Sequence, residues 1–254
     1  MKITSINNAK VAYWAKLKMK KYRDIEHLFI VESDHLVDEA IKKGIVREII
    51  TTENRNYDNI PVFEVTEEIM KRLTCLISPP KVMAVCSYIL PDDISGKVLV
   101  LDRIQDPGNL GTMIRSAVAF NFRTIIVSTD TVDMYNDKVI RSSEGMIFNI
   151  NIIKNDLHEM IPLLKKKGYK IVGTDVKRGK SVKDFRTSKC AFVIGNEGKG
   201  LALDLKELCD TFVYIPMTDA TESLNAAVAA SIIMYEVYNG WDILYRIYFR
   251  PIWN

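Results

Sequence analysis

The second half of the chain is organised by short runs rich in β-branched and other apolar residues: Val98–Ile104, Thr124–Ser128, Ile147–Ile153, Lys170–Thr174, Cys190–Ile194 and Thr211–Met217. A strand wetted on one face alternates apolar with polar residues. These runs do not alternate, so they are expected to be strands covered on both faces, as in a parallel sheet. Helical patterns or polar loops lie between most of them. Asp156–Lys167 has an aspartate at its start, lysines at its end and Gly168 beyond, the order a helix dipole and a left-handed stop favour. The expected class is α/β with a parallel sheet, and ligands of such sheets bind beyond the carboxyl ends of the strands.

The polar, Pro- and Gly-marked stretch Pro91–Gly96 reads as a linker. It divides a first domain, residues 1–93, from a second, residues 97–240, followed by an aromatic tail, 241–254, with Trp241, Tyr245, Tyr248, Phe249 and Trp253. The tail is expected to pack on a partner copy or cover an apolar edge, or else to fray. In the first domain a basic helix is expected over Asn8–Lys20, then a strand at Leu28–Val31. Ser33 should cap a helix that buries Leu36, Val37, Ala40 and Ile41. Strands follow at Val46–Thr52, Val62–Val65 and Val82–Ile89, with Thr66 capping a helix over Glu67–Leu73. This small α/β module gathers no catalytic residue types, so binding is the role expected of it.

Composition closes off several classes. With 48% hydrophobic and 26% charged residues the 254-residue chain is neither disordered nor collagenous. By size scaling roughly 70% of its extended surface can leave water. Cys75, Cys86, Cys190 and Cys209 stand singly, and His27, His35 and His158 lack ligand spacing, so neither a disulfide framework nor a metal site is expected. Neither a membrane span nor a secretory leader is apparent, and a reducing, cytoplasmic setting is expected. The net charge of +3 names no partner. Its distribution is more informative: Lys10, Lys16, Lys18, Lys20, Lys21 and Arg23 follow one another without an acidic residue. Such a helix can track a phosphate backbone, or simply be a solvated face.

Three loops after strands carry candidate chemistry. Asp106-Pro107-Gly108-Asn109, after Gln105, is expected to be a tight turn leading into a helix from Thr112, with Asn109 at the helix mouth and Arg115 one or two turns in. An arginine there can hold a phosphate bidentately; alternatively Asn109 only caps and Arg115 is a surface charge. Gly195-Asn196-Glu197-Gly198-Lys199-Gly200 is permissive enough to approach a ligand closely, but it has neither Walker nor dinucleotide-fingerprint spacing. Thr218–Asn225 delivers Ser223 and Asn225 to the start of an Ala-rich helix. With no histidine near Ser223, a Ser-His-acid hydrolase is not expected.

Together, and in this order, DRIQDPGNLGTMIRSA, VIGNEGKGL and IPMTDATESLNAAVAAS resemble the three signature motifs of the SpoU/TrmH class of RNA ribose 2′-O-methyltransferases, in the SPOUT superfamily. The first domain, notably Lys18–Arg23 and LFIVESDHLVDEAI, is similar to that family's N-terminal RNA-binding domain. The resemblance implies a parallel-sheet domain whose C-terminal segment forms a trefoil knot, preceded by a small ribosomal-protein L30e-like substrate-binding domain. It implies S-adenosylmethionine held largely by backbone groups, against Gly195, Ile215 and Leu224, with Thr174 and Met217 as further lining.

It also implies a homodimer sharing an active site of Asn109, Arg115, Glu197, Ser223 and Asn225, acting on a ribose 2′-hydroxyl of structured RNA. Arg115 would grip the target phosphate; the others would orient arginine, ribose or loops. RNA contacts are expected from Lys10, Lys18, Lys20, Lys21, Arg23 and Arg115. Ribosomal RNA is the expected substrate; transfer RNA, or a non-catalytic RNA-binding relative, are the alternatives. Compared with the family pattern, Asp219, Ala220, Asn121 and Ser33 stand where glycine is common, and Glu144 where a small residue is usual. Asn121 should tolerate a left-handed backbone.

Overall fold

The computed structural model describes the backbone of residues 1–248 and the side chains of residues 1–238, so the aromatic side chains of the tail lie outside the described residues. The chain forms two compact units: residues 1–90 with 133–149, and residues 91–132 with 150–254.

The first unit begins with β1 (Lys2–Ile3), α1 (Ala9–Lys16), α2 (Lys20–Glu26), β2 (Leu28–Glu32), α3 (Asp34–Lys43), β3 (Val46–Thr51), β4 (Val62–Val65), α4 (Glu67–Leu73) and β5 (Val82–Ser87). Its mixed sheet has the order β1-β4-β3-β5-β2. Val11, Trp14 and Leu17 pack with Ile69, Met70 and Leu73 against Ile50, Phe63 and Val85. Ser33 and Thr66 cap α3 and α4 as expected. The expected basic helix is instead two. The buried Arg23 guanidinium donates to the carbonyls of Leu17 (3.0 Å) and Lys18 (2.6 Å). Those carbonyls are thereby satisfied outside a helical ladder, and Met19 is extended (φ −94°, ψ 127°) before α2 starts.

The second unit opens with β6 (Lys97–Leu101), α5 (Pro107–Ala119) and β7 (Phe122–Val127). The chain then contributes residues 133–149, with α6 (Asp137–Ser142), to the first unit. There Asp133 pairs with Arg23 at 2.5 Å, and Tyr135 stacks on Phe29 (4.6 Å between centroids) and Tyr88 (4.0 Å). The strand expected over Ile147–Ile153 is thus divided. Glu144 (φ 50°) and Gly145 (φ 75°) turn the chain left-handed, Met146–Asn149 forms a 3-10 turn that buries Phe148, and only β8 (Asn151–Lys154) is extended.

The unit continues through α7 (Leu157–Lys166), β9 (Lys170–Thr174), β10 (Lys180–Ser181), β11 (Cys190–Ile194), α8 (Leu203–Glu207), β12 (Thr211–Tyr214) and α9 (Ala226–Tyr248). All seven strands are parallel, in the order β10-β12-β9-β11-β6-β7-β8. On one face Val98, Val100, Ala191 and Val193 meet Leu157, Ile161 and Leu164 of α7 and Leu205 of α8. Their strand neighbours Leu99 and Phe192, equally buried, must point to the other face because side chains alternate. On from β6 the chain steps to β7 and β8, whereas from β11 it goes the other way to β12. β6 and β11 therefore flank a topological switch point, the place where such sheets open a ligand crevice.

Candidate active site

The loops leaving β6 and β11 meet at that switch point. After β6, Asp102 is buried and accepts from the Arg103 Nε (2.9 Å) and Nη2 (3.0 Å) and from the Ala202 backbone N–H (3.3 Å). Arg103 is left-handed (φ 53°), which turns the chain toward Asp106. The expected tight turn is already helix: Asp106 is the N-cap, accepting from the Asn109 N–H at 2.9 Å, and Pro107 occupies the first helical position, where its missing N–H costs nothing. Asn109 accordingly sits inside the first turn of α5, with its side chain available for other work.

After β11 the chain doubles back. Asn196 and Gly200 exchange backbone hydrogen bonds (3.1 and 2.9 Å), while the Asn196 Oδ1 accepts from the N–H groups of Gly198 and Lys199 (3.0 Å each). Gly195 is required here. A Cβ on it would stand 2.1 Å from the Leu201 nitrogen and 2.3 Å from the Gly200 carbonyl carbon, both backbone atoms that cannot yield.

The third loop ends at Asn225, whose Oδ1 caps α9 by accepting from Ala227 (2.9 Å) and Val228 (3.2 Å). Its amide Nδ2 donates to the Asn109 Oδ1 at 3.0 Å, and the Asn109 Nδ2 donates to the Glu197 Oε1 at 3.1 Å. Three loops distant in sequence are thus joined by one relay, Asn225 to Asn109 to Glu197. The Glu197 carboxylate also accepts from the backbone N–H groups of Gln105 (3.2 Å) and Asp106 (3.1 Å). Partial burial pushes its pKa up, but its own N–H, Asn109, Asp106 and Gln105 outweigh that and hold it below the usual glutamate range. A carboxylate so held is an ionised anchor and a poor base.

Beside the relay lies a cavity of about 450 Å³, within the 300–1,000 Å³ common for small-ligand sites. Thr174, Gly195, Ile215, Met217 and Leu224, the five residues expected to hold a cofactor, all line it, together with Glu197 and Ser223. The Thr174 hydroxyl donates to the Val193 carbonyl at 2.9 Å, tying β9 to β11 at its edge. Residues 215–217, expected as the end of a strand, leave the sheet after Tyr214 and form cavity wall instead. An apolar wall of Ile215, Met217, Leu224 and Ile233, beside a Gly-rich stretch whose backbone is exposed at close range, suits a nucleoside with a short polar chain. The residues present therefore fit S-adenosylmethionine.

Arg115 is exposed on α5. Six residues beyond Asn109, it lies roughly 9 Å further along the helix and about a third of a turn round the axis. Ser223 lines the cavity, its carbonyl accepting from the Thr221 hydroxyl at 3.0 Å.

The basic residues divide. Lys20 and Lys21 are exposed, Lys20 paired with Asp24. Lys18 donates to the carbonyls of Arg72 (2.7 Å) and Thr74 (2.9 Å). Lys10 pairs with Glu48 at 2.6 Å over the Phe63 ring. Arg23, expected on an RNA face, is buried and committed to Leu17, Lys18 and Asp133. Its charge ends a helix and holds the 133–149 segment.

Asn196, Asp102 and Gln105 were not among the expected site residues, although they shape it. The asparagine among glycines was the readable signal, since its side chain closes turns by accepting backbone N–H groups. All four cysteines are free, with burial pushing Cys190 up to about 12 and Cys209 up to about 11, so neither offers a thiolate. Among the described residues no helix is long and apolar enough to cross a membrane.

Residues 96–235 match the SpoU rRNA methylase family, and residues 8–84 match the MRM3-like substrate binding domain. The chain belongs to the SpoU rRNA methylase family. It is an S-adenosylmethionine-dependent RNA 2′-O-methyltransferase. Among this SpoU protein's relatives is the Bacillus subtilis 23S rRNA (guanosine(2553)-2′-O)-methyltransferase RlmP, 36% identical over 92% of this chain and 98% of that one. The SpoU methyltransferase AviRb from Streptomyces viridochromogenes, solved with its cofactor, superposes with a TM-score of 0.83 at 28% identity, covering 96% of this chain and all of that one. The cofactor-bound rRNA methyltransferase from Sinorhizobium meliloti superposes with a TM-score of 0.84 at 26% identity, covering 95% and 98%.

Proposed function

We propose that this SpoU methylase modifies a ribose 2′-hydroxyl in ribosomal RNA, in the cytoplasm and as a homodimer, with the Asn225–Asn109–Glu197 relay and the adjoining cavity as its methyl-transfer site. The carrying observation is the relay itself: three loops converge by direct side-chain hydrogen bonds beside a cavity that fits the cofactor. Ribosomal rather than transfer RNA is supported by the 36% identity to a 23S rRNA methyltransferase over nearly its whole length. The first domain, residues 1–93, serves as an L30e-like RNA-binding domain, residues 97–240 as the catalytic domain with a C-terminal trefoil knot, and 241–254 as an aromatic tail.

When bound, S-adenosylmethionine supplies an activated methyl group, so the protein need not create an electrophile. What remains is alignment of the acceptor oxygen, which can be worth roughly 7–11 kcal/mol. Thr174, Gly195, Ile215, Met217 and Leu224 hold the donor. Glu197, saturated with donors, fixes Asn109; Asn109 fixes Asn225; and Ser223 lines the cavity, where its hydroxyl serves to orient the acceptor. Arg115 presents a planar fork of N–H donors. Its role is to clamp the phosphate beside the target ribose bidentately. Exposed on α5 and about 9 Å along its axis from Asn109, it serves in this reading to complete the partner protomer's site. Of the basic residues, Lys20 and Lys21 meet the RNA backbone, with Lys10 and Lys18 at the edge of that face.

Calorimetric titration with S-adenosylmethionine, followed by methyl transfer to unmodified large-subunit RNA and mapping of the 2′-O-methyl position, tests this reading. Saturable cofactor binding and one methylated guanosine are expected. Cofactor binding without transfer to any RNA would overturn it.

A further inference from the structure

The catalytic loops occupy one edge of the parallel sheet; the opposite edge, where the strands begin, has a site of its own. The chain enters β9, β11, β6 and β7, four adjacent strands, at Tyr169, Lys189, Lys97 and Arg123. These entrances enclose a pocket of about 380 Å³ whose charged lining residues, among the described residues, are Lys97, Arg123 and Lys189. Lys97 donates to the Val237 carbonyl at 3.4 Å. Exposed Lys166, Lys167 and Lys170 follow at the end of α7 and the start of β9. Asp210, a carboxylate beside that group, is paired with Lys165 at 2.8 Å.

Two cations are held in place. Gly96 is left-handed (φ +63°), and a Cβ there would stand 2.4 Å from the Arg123 Cγ; only glycine lets the arginine stem lie against this turn. The Arg123 Nε donates to the Asn121 Oδ1 at 3.2 Å, from a residue that is itself left-handed (φ 57°). The Lys189 ammonium sits 5.0 Å from the centre of the buried Tyr169 ring. Cations with their stems already ordered lose less entropy on meeting an anion.

We propose that this pocket is a second RNA contact, gripping backbone phosphates remote from the methylated nucleotide. The inference rests on the RNA-methyltransferase reading above. Five-residue strands separate the two edges by on the order of 17 Å. A nucleotide in the catalytic site cannot reach the pocket, so only an extended or folded RNA engages both. The contact is to phosphate and carries no sequence preference.

The test compares the full-length wild-type protein with Arg123→Glu/Lys189→Glu, and with a control of equal charge change at exposed positions outside the pocket, Lys43→Glu/Lys183→Glu. Probes are an in vitro transcript of unmodified large-subunit RNA and a short hairpin carrying only the methylation target. The pocket variant should bind S-adenosylmethionine normally and unfold within a few degrees of wild type. Its KM for the long transcript should rise on the order of tenfold at unchanged kcat, and its salt slope should fall by about 2. KM for the hairpin should stay at the wild-type value. An unchanged KM for the long transcript, or an equal loss in the control, overturns the pocket. Absence of methyl transfer by the wild-type protein would instead overturn the reading on which it rests.

Discussion

The two units treat charged residues in opposite ways. In the first, polar groups are spent on the fold: Glu48 is gripped by Lys10 (2.6 Å) and the Trp14 indole (2.8 Å), and buried Glu32 takes the Thr74 hydroxyl and the Cys75 N–H (2.9 Å). Arg23 lies under 10% exposed. In the second, the polar side chains of the relay bridge loops beside an open cavity, while the sheet packs on apolar residues such as Val98, Val100, Ala191 and Val193. A charge in the first unit is therefore read first as an architectural group, and a charge at the strand ends of the second as a working one.

The sharpest way to break this contrast is Arg115→Ala. If Arg115 works only on RNA, S-adenosylmethionine affinity and Tm should stay at wild-type values while turnover falls on the order of a hundredfold or more. Calorimetry and single-turnover methyl transfer read the two separately. Retained turnover ends the clamping role. Mixing this variant with a Glu197→Gln protein tests the shared site, since heterodimers would recover one intact centre.

Next in size is Glu197→Gln against Glu32→Gln. The first replaces an acceptor-only carboxylate facing several donors by an amide with a donor end. Activity should fall by roughly ten- to a hundredfold with little change in Tm. The second should lower stability by about 1–3 kcal/mol, as a buried pairing becomes imperfect, with activity per folded molecule intact. The pH dependence follows from the sign: Glu197 is held low, so its contribution is complete above the unfolded glutamate value near 4.3 and is lost as pH falls through the lower folded value. The pH–rate profile should therefore show no limb from Glu197 above about pH 5. A limb near pH 6–7 that vanishes in Glu197→Gln would make it a base after all.

Lys20→Ala/Lys21→Ala and Arg23→Ala divide the basic segment in the same manner. The exposed pair should weaken RNA binding and flatten its salt dependence by about 1–2 with no change in Tm. Removing the buried Arg23 leaves Asp133 unpaired and should cost about 3–5 kcal/mol. If Arg23→Ala left stability untouched, its assignment to the fold would fail.

What was readable in the sequence follows the same division. The parallel sheet was legible because runs such as Cys190–Ile194 are covered on both faces, a local property of the sequence. Capping by Ser33 and Thr66 was legible for the same reason. The route of residues 133–149 into the first unit was not, because it depends on Tyr135 and Phe148 finding Phe29, more than a hundred residues away. The break after α1 was hidden likewise, since it requires Arg23 to be buried while the charge pattern reads as a solvated face. At the site, residue identities came from the resemblance of the three motifs to the SpoU/TrmH family, but the direction of the relay did not: which asparagine donates to which is fixed only once three loops are in contact. Asn121 and Ser33, at positions where glycine is common, are both left-handed (φ 57° and 100°), so the backbone demand persists although the residue has changed.

The smallest expected effect lies at His158, where a polar group of the second unit serves the fold alone. Its ring bridges Asp156 (3.1 Å) and Asp204 (2.9 Å), joining the start of α7 to the start of α8. Hydrogen bonds to Asp156 and then Asp204 raise its pKa above the usual histidine value. The stabilisation is therefore complete below the unfolded value near 6.5 and is lost as pH rises through the raised folded value. The three side chains are more than half exposed, so solvent screening keeps the gain small. His158→Gln should lower Tm by about a degree at pH 6 and match wild type at pH 9, with turnover unchanged at both. Because α8 follows the Gly195–Gly200 loop directly, a pH-dependent loss of cofactor affinity in this variant would mean that the bridge also steadies the cavity, and the division drawn between fold and site in this unit would have to move.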